Sequence, residues 1–458
     1  MDQKPKLTIS GYRGIWGQDL NEKIAYEFAL GYAKMLKSKN IDEKKKILVG
    51  RDARKSGLEI LKAIKKALEK EGLEMEYIGI IPTPSVLLLV KKLSAKGGII
   101  ITASHNPAEY NGLKFLTSEG LFITQKEIDE IEKIRESLTE EEKAYEENTE
   151  YEIEEIDNKK YREIHIAEIL KHVDVELIKS KNFKVTLDPI NSAGSLIAQE
   201  LLNELGCTVS VINGEQNGEF AHEPEPILKN LSGISEAVLK NNSDIGFAQD
   251  PDADRLVVIN EKGKILSEEC TLALAVKNVL RKEKSDVVVN MSTSRMCEDI
   301  AESCGKQIHR TKVGEANVVE KILQIDSIIG GEGNGGVIYP RVHPCRDSLV
   351  GIALILEFIA RENKTTSRVA SNLPDYTMKK DKFTFTGSLD KLFRKLKNEF
   401  HHVDINTKDG VRFDWPDSSW IHIRASNTEP VIRIIGEAKT EKEIDALFDK
   451  VRLTLGQQ

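Results

Sequence analysis

The sequence has no apolar stretch approaching the ~20 residues that a membrane-spanning helix needs. Its first residues, Met1-Asp-Gln-Lys-Pro-Lys6, lack the apolar core of a secretory leader. The expectation is a protein that stays in the cytoplasm, away from membrane. Its five cysteines, Cys207, Cys270, Cys297, Cys304 and Cys345, are odd in number and lack the paired short spacing of a zinc site, so they read as reduced packing residues. No basic run with interleaved aromatics occurs and the net charge is -8, which argues against a nucleic-acid surface. An anionic substrate would need basic groups gathered locally.

What is present is an ordinary globular composition, 40% hydrophobic and 31% charged over 458 residues. That is too long for one core at roughly 100–200 residues per domain. Three similar α/β units in series are expected, at 1–150, 151–261 and 262–372, followed by a smaller α+β unit at 373–458. In the first, Ile47 to Gly50 reads as a strand and the next helix opens with a capping box, Ser56 with Glu59. The β-α-β-α-β order implies a mostly parallel sheet. The second and third units repeat the alternation without a clean numerical repeat. The acid-rich stretch Glu140 to Lys160 reads as a solvated linker.

The chain turns on the apolar run Gly98 to Ala103, which stops at Ser104-His105-Asn106-Pro107. In open α/β sheets the carboxyl ends of parallel strands face the ligand crevice, so Ser104 stands where a nucleophile or phosphoryl acceptor is useful. Taken alone it could as well cap a helix or start a turn. Asp250, Asp252 and Asp254 at alternate positions, pinned by Pro251, form an oxygen-rich pocket suited to a hard divalent cation. Glu261 falls at the twelfth position of an EF-hand counted from Asp250. Arg255 nevertheless stands where that loop requires glycine, and Leu256 to Ile259 reads as a strand. Gly331, Gly333 and Gly336 satisfy G-x-G-x-x-G, but Val337 to Pro340 is extended where a dinucleotide site needs a helix. Arg424, Ser426, Asn427 and Thr428, with Arg433 on the following strand, combine guanidinium, hydroxyls and turn amides suited to a phosphate dianion, or else form a polar hairpin turn.

Thr102-Ala-Ser-His-Asn-Pro107, Asp250-Pro-Asp-Ala-Asp-Arg255, Gly331-Glu-Gly-Asn-Gly335 and Arg424-Ala-Ser-Asn-Thr-Glu-Pro430, in that order, resemble the four loops of the α-D-phosphohexomutases. The resemblance implies a phosphoserine at Ser104 and one Mg2+ held by Asp250, Asp252, Asp254 and the Ser104 phosphate. It also implies a hexose 1,6-bisphosphate activator and migration of phosphate between the 1 and 6 positions of a phosphorylated hexose. Glu332 would accept hydrogen bonds from sugar hydroxyls, with Asn334 and Arg255 as further substrate contacts, and Arg424 to Thr428 with Arg433 would hold phosphate. Arg13, in a match to S-G-x-R-G, points into such a site, and Lys114, in N-G-x-K, faces the serine. His105 would orient the phosphoserine. Many bacterial members carry G-E-x-S-G-H, where this chain has Asn334 and Gly336, so the loop histidine is missing. His343 is the expected replacement, or else a surface histidine. Glucosamine phosphate is the preferred substrate reading, with mannose and glucose phosphates as alternatives and a non-catalytic sugar-phosphate sensor as the opposing one. Oligomeric state has no signal.

Overall fold

The computed structural model describes residues 6–39, 46–145, 153–385, 387–425 and 431–455. Four sheets follow one another along the chain. The first runs, in spatial order, Tyr12–Ile15, Tyr110–Leu116, Gly97–Ile101, Ile47–Arg51 and Met75–Ile80. Ile47–Arg51 is parallel to both of its neighbours. Tyr110–Leu116 is antiparallel to both of its own, so the sheet is mixed and not mostly parallel as expected. A parallel return needs a crossover of a dozen or more residues, and the loop after Gly97–Ile101 turns straight back without a helix.

The same device recurs twice. In the second sheet Lys184–Asp188 lies between the parallel strands Thr208–Val211 and Ile245–Gln249, and the latter returns directly as antiparallel Leu256–Asn260. In the third, Val287–Asn290 lies between parallel Ile308–Thr311 and Ile329–Glu332, and Ile329–Glu332 returns as antiparallel Gly336–Tyr339. Three sheets thus each end a parallel strand in a loop that folds back on itself: 102–109 in the first, 250–255 in the second and 333–335 in the third. The fourth sheet is wholly antiparallel, from Thr377–Thr384 through Val431–Ala438, Trp420–Ala425 and Val411–Asp414 to Asp404–Asn406.

Burial joins these units unequally. Helices Glu268–Lys282 and Ser348–Glu362 belong to one continuous core that also takes in Val185, Leu187, Phe247 and Val258 of the second sheet. Ser348–Glu362 is buried nearly all round because it has neighbours on every side. The fourth sheet has a separate core, built from Phe413, Ile421, Ile423, Ile432, Ile434 and Phe448. A buried polar link ties the first three units. The His165 Nδ1 accepts from Ser85 Oγ at 2.8 Å, and its Nε2 donates to Asp347 Oδ2 at 2.8 Å. Asp347 in turn caps Ser348–Glu362 by accepting from the Leu349 and Val350 amides.

Two local expectations change. Ser56 precedes helix Gly57–Lys70 without capping it, because its hydroxyl accepts from Asn111 Nδ2 at 2.8 Å. Part of the acid-rich stretch is structured: Thr139 and Glu142 form a capping box that opens the short helix Glu140–Lys143. The expected domain end at 150 lies outside the described residues. Among the described residues no helix is long and apolar enough to cross a membrane. All five cysteines are free thiols; Cys207, Cys297 and Cys345 are buried and Cys304 is exposed.

Candidate active site

The fully buried strand Gly97–Ile101 delivers Ser104 at φ 53°, a left-handed conformation that costs a non-glycine residue of order 1–3 kcal/mol and must be imposed by its surroundings. Thr102 does part of this work. Its hydroxyl accepts from the Ser104 amide at 2.8 Å and donates to Asp52 Oδ2 at 2.6 Å. The Ser104 hydroxyl then lies 3.3 Å from His105 Nδ1 and 3.5 Å from Asp250 Oδ2. Burial, and then the nearby Arg255 and Arg13, push the His105 imidazole well below its ordinary value, so a neutral ring stands beside the hydroxyl. Arg13 reaches the same loop, donating to Asn106 Oδ1 at 3.3 Å.

In the metal loop each aspartate has one oxygen held and the other less engaged. Asp250 Oδ1 accepts from the Asp254 and Arg255 amides, both at 3.1 Å. Asp252 Oδ2 accepts from Thr83 Oγ1 and Lys114 Nζ, both at 2.7 Å, and Asp254 Oδ2 accepts from Arg346 Nη2 at 2.6 Å. The opposite oxygens, Asp252 Oδ1 and Asp254 Oδ1, are buried without a hydrogen-bond partner, and Asp250 Oδ2 has only the long contact to Ser104. Buried oxygens left this way are costly unless something else satisfies them. One ligand atom from each aspartate lies within 4.8 Å of the others, a spacing that fits a hard divalent cation. Burial, and then repulsion from Asp254 and Asp252, hold the Asp250 carboxyl well above the usual range. Burial would raise Asp252 too, but Lys114, Thr83 and Arg13 outweigh it and hold it below the usual range. The EF-hand reading ends here, because Leu256–Asn260 is a strand and Glu261 turns away to bond the Ser367 amide.

Glu332, at the end of Ile329–Glu332, is more occupied than a pair of sugar hydroxyls would require. Its Oε1 accepts from Asn290 Nδ2 at 2.8 Å and the Gly314 amide at 2.9 Å. Its Oε2 accepts from Arg346 Nη1 at 3.0 Å and, at a long 3.4 Å, from Asn334 Nδ2. Asn334 therefore braces its own loop, with its Oδ1 accepting from the Gly336 amide at 3.3 Å. Gly333 has no room for a side chain, since a Cβ there would fall on the Glu269 carboxylate. Burial raises Glu269 to about 8. Arg346 spans the loops, holding Asp254, Glu332 and Glu315 at once. Burial raises Glu315 to about 7 against the pull of that guanidinium.

His343 does not enter this cluster. It is buried with its Nε2 donating to the Gly120 carbonyl at 2.7 Å, and burial lowers it to about 4. The antiparallel pairing of Gly336–Tyr339 with His343–Arg346 commits the ring to the first unit and sends Arg346 to the loops. Arg255 lies along the metal loop, 3.7 Å from Glu225 and 3.9 Å from Asp254.

On the fourth sheet Arg424 and Arg433 face each other across adjacent antiparallel strands. Like charges directly opposite are unfavourable unless an anion lies between them, which suits a phosphate. Asp409 stands 3.5 Å from Arg424 Nε. Ser426, Asn427 and Thr428 lie outside the described residues. The sheet meets the third unit through polar contacts. Ser292 Oγ donates to His422 Nδ1 at 2.9 Å, the Arg295 amide donates to Glu437 at 2.8 Å and the Val313 amide donates to Asp409 at 2.9 Å.

Models of the phosphoglucomutase/phosphomannomutase family match the chain in four successive pieces: domain I at residues 5–142, domain II at 163–263, domain III at 268–376 and the C-terminal domain at 379–454. The chain belongs to this family. It is 37% identical over 440 residues to the phosphoglucomutase/phosphomannomutase of Thermococcus kodakarensis, covering 94% of each chain. It is 33% identical over 453 residues to the phosphoglucosamine/phosphogalactosamine mutase of Sulfurisphaera tokodaii, covering 96% of this chain and 97% of that one. The crystal structure of a phosphoglucomutase/phosphomannomutase family protein from Burkholderia thailandensis shares the fold, with a TM-score of 0.84 at 24% identity over 99% of this chain and 98% of that one.

Sequence reading of this family member missed Asp52, Arg54, Thr83, Glu269 and Glu315. Asp52 and Arg54 follow strand Ile47–Arg51 immediately, so charged residues at the crevice end of a parallel strand were the available signal. Glu315 opens the helix Glu315–Gln324, and Thr83 gave no local cue.

Proposed function

We propose that this chain is a phosphohexomutase moving phosphate between the 1 and 6 positions of a hexose, with glucosamine 6-phosphate and glucosamine 1-phosphate as the preferred pair. The observation that carries the reading is the set of underused Asp250, Asp252 and Asp254 oxygens beside the Ser104 hydroxyl. In this reading the Arg424 and Arg433 guanidiniums, with residues 426–428, hold the phosphate the sugar already carries. Phosphorylated Ser104 gives its phosphoryl group to the free sugar hydroxyl, whose proton leaves to a base. The bisphosphorylated sugar turns around, its new phosphate goes to the clamp, and the old one returns to Ser104. Asp250, Asp252 and Asp254, with a Ser104 phosphate oxygen, would hold one Mg2+ per chain, which would supply charge neutralisation to the transferring group.

Lys114 spends one hydrogen on Asp252 and keeps two for the sugar or phosphoryl oxygens. With Arg13 it can stabilise the charge on the transferring group and give a proton to the departing oxygen, while neutral His105 orients the serine oxygen. A sugar hydroxyl reaches Glu332 by displacing the long Asn334 contact. The names of the two relatives divide between glucosamine and glucose or mannose phosphates, which keeps phosphomannomutase/phosphoglucomutase as the second reading.

The test is turnover on glucosamine, mannose and glucose phosphates with Mg2+ and a catalytic amount of hexose 1,6-bisphosphate. Preference for glucosamine phosphate is expected, and better mannose or glucose turnover selects the second reading. No turnover, with no phosphate acquired by Ser104, revives the sensor. Full turnover in Lys114→Ala would remove Lys114 from proton transfer.

A further inference from the structure

Arg54 is one of the most deeply buried large side chains and touches neither the metal loop nor the clamp in the described contacts. Its guanidinium has five N–H donors, and all five are taken. Nε donates to Asp52 Oδ2 at 3.0 Å. Nη1 donates to the carbonyls of Pro107 at 2.6 Å and Tyr110 at 3.0 Å. Nη2 donates to the carbonyls of Ser104 and Asn106, each at 2.7 Å. One side chain therefore gathers three carbonyls of the loop that carries the candidate nucleophile and one from the first residue of the strand that follows it. The Arg54 Cζ also lies over the Phe220 ring of the second unit, 4.9 Å from the ring centroid.

Two physical consequences follow. The left-handed Ser104 backbone is unfavourable in isolation, and the charge-assisted bonds to its own carbonyl and to Asn106 offset that cost where it arises. Four carbonyl dipoles are also drawn to one side of the loop. Left unpaired and free to turn, their negative ends would oppose an incoming phosphoryl group. Asp52 completes the arrangement because its Oδ2 holds both Arg54 and the Thr102 hydroxyl that accepts from the Ser104 amide.

From this geometry we infer that Arg54 is the positioning residue of phosphoryl transfer, setting the attitude of Ser104 through the loop carbonyls without touching the sugar. The inference rests on the mutase reading for its kinetic consequence. Its structural consequence stands apart. Lysine keeps the charge but offers three hydrogens from one nitrogen, and it cannot reach four carbonyls and a carboxylate in the planes a fork spans.

The experiment uses the full chain with Arg54→Lys, Arg54→Met and Thr102→Val, the last cutting the Asp52 arm while leaving the guanidinium in place. Three readouts are taken: steady-state kinetics on the turned-over sugar phosphate, the rate at which hexose 1,6-bisphosphate phosphorylates Ser104 by intact mass, and hydrogen exchange of residues 102–110. Arg54→Lys is expected to lower kcat and the phosphorylation rate together by roughly 100-fold, the scale of a misplaced reacting group. KM should stay within about twofold, and exchange of 102–110 should rise. Thr102→Val should move the same quantities in the same direction by less, because the four carbonyl bonds of Arg54 remain, and Arg54→Lys decides the matter if Arg54→Met does not fold. Parent-like kcat in Arg54→Lys, or a raised KM at unchanged kcat, overturns the inference. If the parent itself neither turns over nor phosphorylates, the mutase reading falls, and exchange in 102–110 still decides for or against Arg54.

Discussion

The nucleophile loop at 102–109 and the metal loop at 250–255 occupy the same place in two similar sheets, yet the left-handed turn of each is closed differently. The metal loop closes its own turn, with Asp250 turning back onto the amides of Asp254 and Arg255 and Ala253 in the left-handed position at φ 52°, while Thr83, Lys114 and Arg346 hold its other two carboxylates from outside. The nucleophile loop is longer and puts its left-handed residue, Ser104, at the reacting position, so it borrows Arg54 and Asp52 from the neighbouring strand end. A self-tied turn keeps its shape as a local property. A turn tied from outside can be changed by a residue remote in sequence.

Ser104→Ala should break the comparison most severely, lowering turnover by roughly 10⁴-fold or more, because Ser104 carries the loop hydroxyl that faces Asp250 while the Thr102 hydroxyl is spent on Asp52. Intact mass after incubation with hexose 1,6-bisphosphate should show no added phosphate. Asp250→Asn should cost roughly 10²–10³-fold in kcat. It should also weaken Mg2+ binding measured by calorimetry, whereas Arg54→Lys should leave Mg2+ affinity near the parent value. Equal losses of metal affinity would show that the loops are not held separately. Arg424→Met, away from both loops, should raise KM for the sugar phosphate about 10–100-fold, the worth of one charge-assisted hydrogen bond. Its rate of Ser104 phosphorylation per bound sugar phosphate should change little.

The smallest effect concerns the joins between units. Burial lowers His343 and His422 to about 4. An unfolded histidine titrates near 6.5, so between about pH 6.5 and 4 the unfolded chain binds more protons. The stability these groups contribute is complete above that window and is lost as pH falls through it, by up to about 1.4 kcal/mol per pH unit for each. Thermal unfolding should therefore move to lower temperature from pH 6.5 to 4.5, less steeply in His422→Gln. His343→Gln should keep kcat within about twofold, and a large loss would return that ring to the chemistry.

The candidate reacting and metal-holding groups were visible because each is a contiguous string at a strand end, where local sequence and crevice position coincide. Ser104, Asp250, Asp252 and Asp254 meet as their spacing suggests. Arg54 and Arg346 act through partners many residues away, and nothing in their neighbours announces that every donor of Arg54 is engaged. His343 looked available because a gap at Gly336 invites a substitute, but strand pairing decides where a ring points, and that pairing turns it to Gly120. The mixed first sheet was missed for a related reason: alternation of strands and helices reports layering, while strand direction depends on whether the connecting loop is long enough to cross over.

The Ser85, His165 and Asp347 link also sets a schedule for the chain as it is made. Ser85 is already available when His165 emerges, but Asp347 follows His165 by 182 residues. At about 5–20 residues per second that interval is on the order of 10–40 s. During it the first two units can fold around their own sheets, but the second presents an imidazole whose second partner does not yet exist. The face it will turn to the third unit must wait in water until Asp347 has been made.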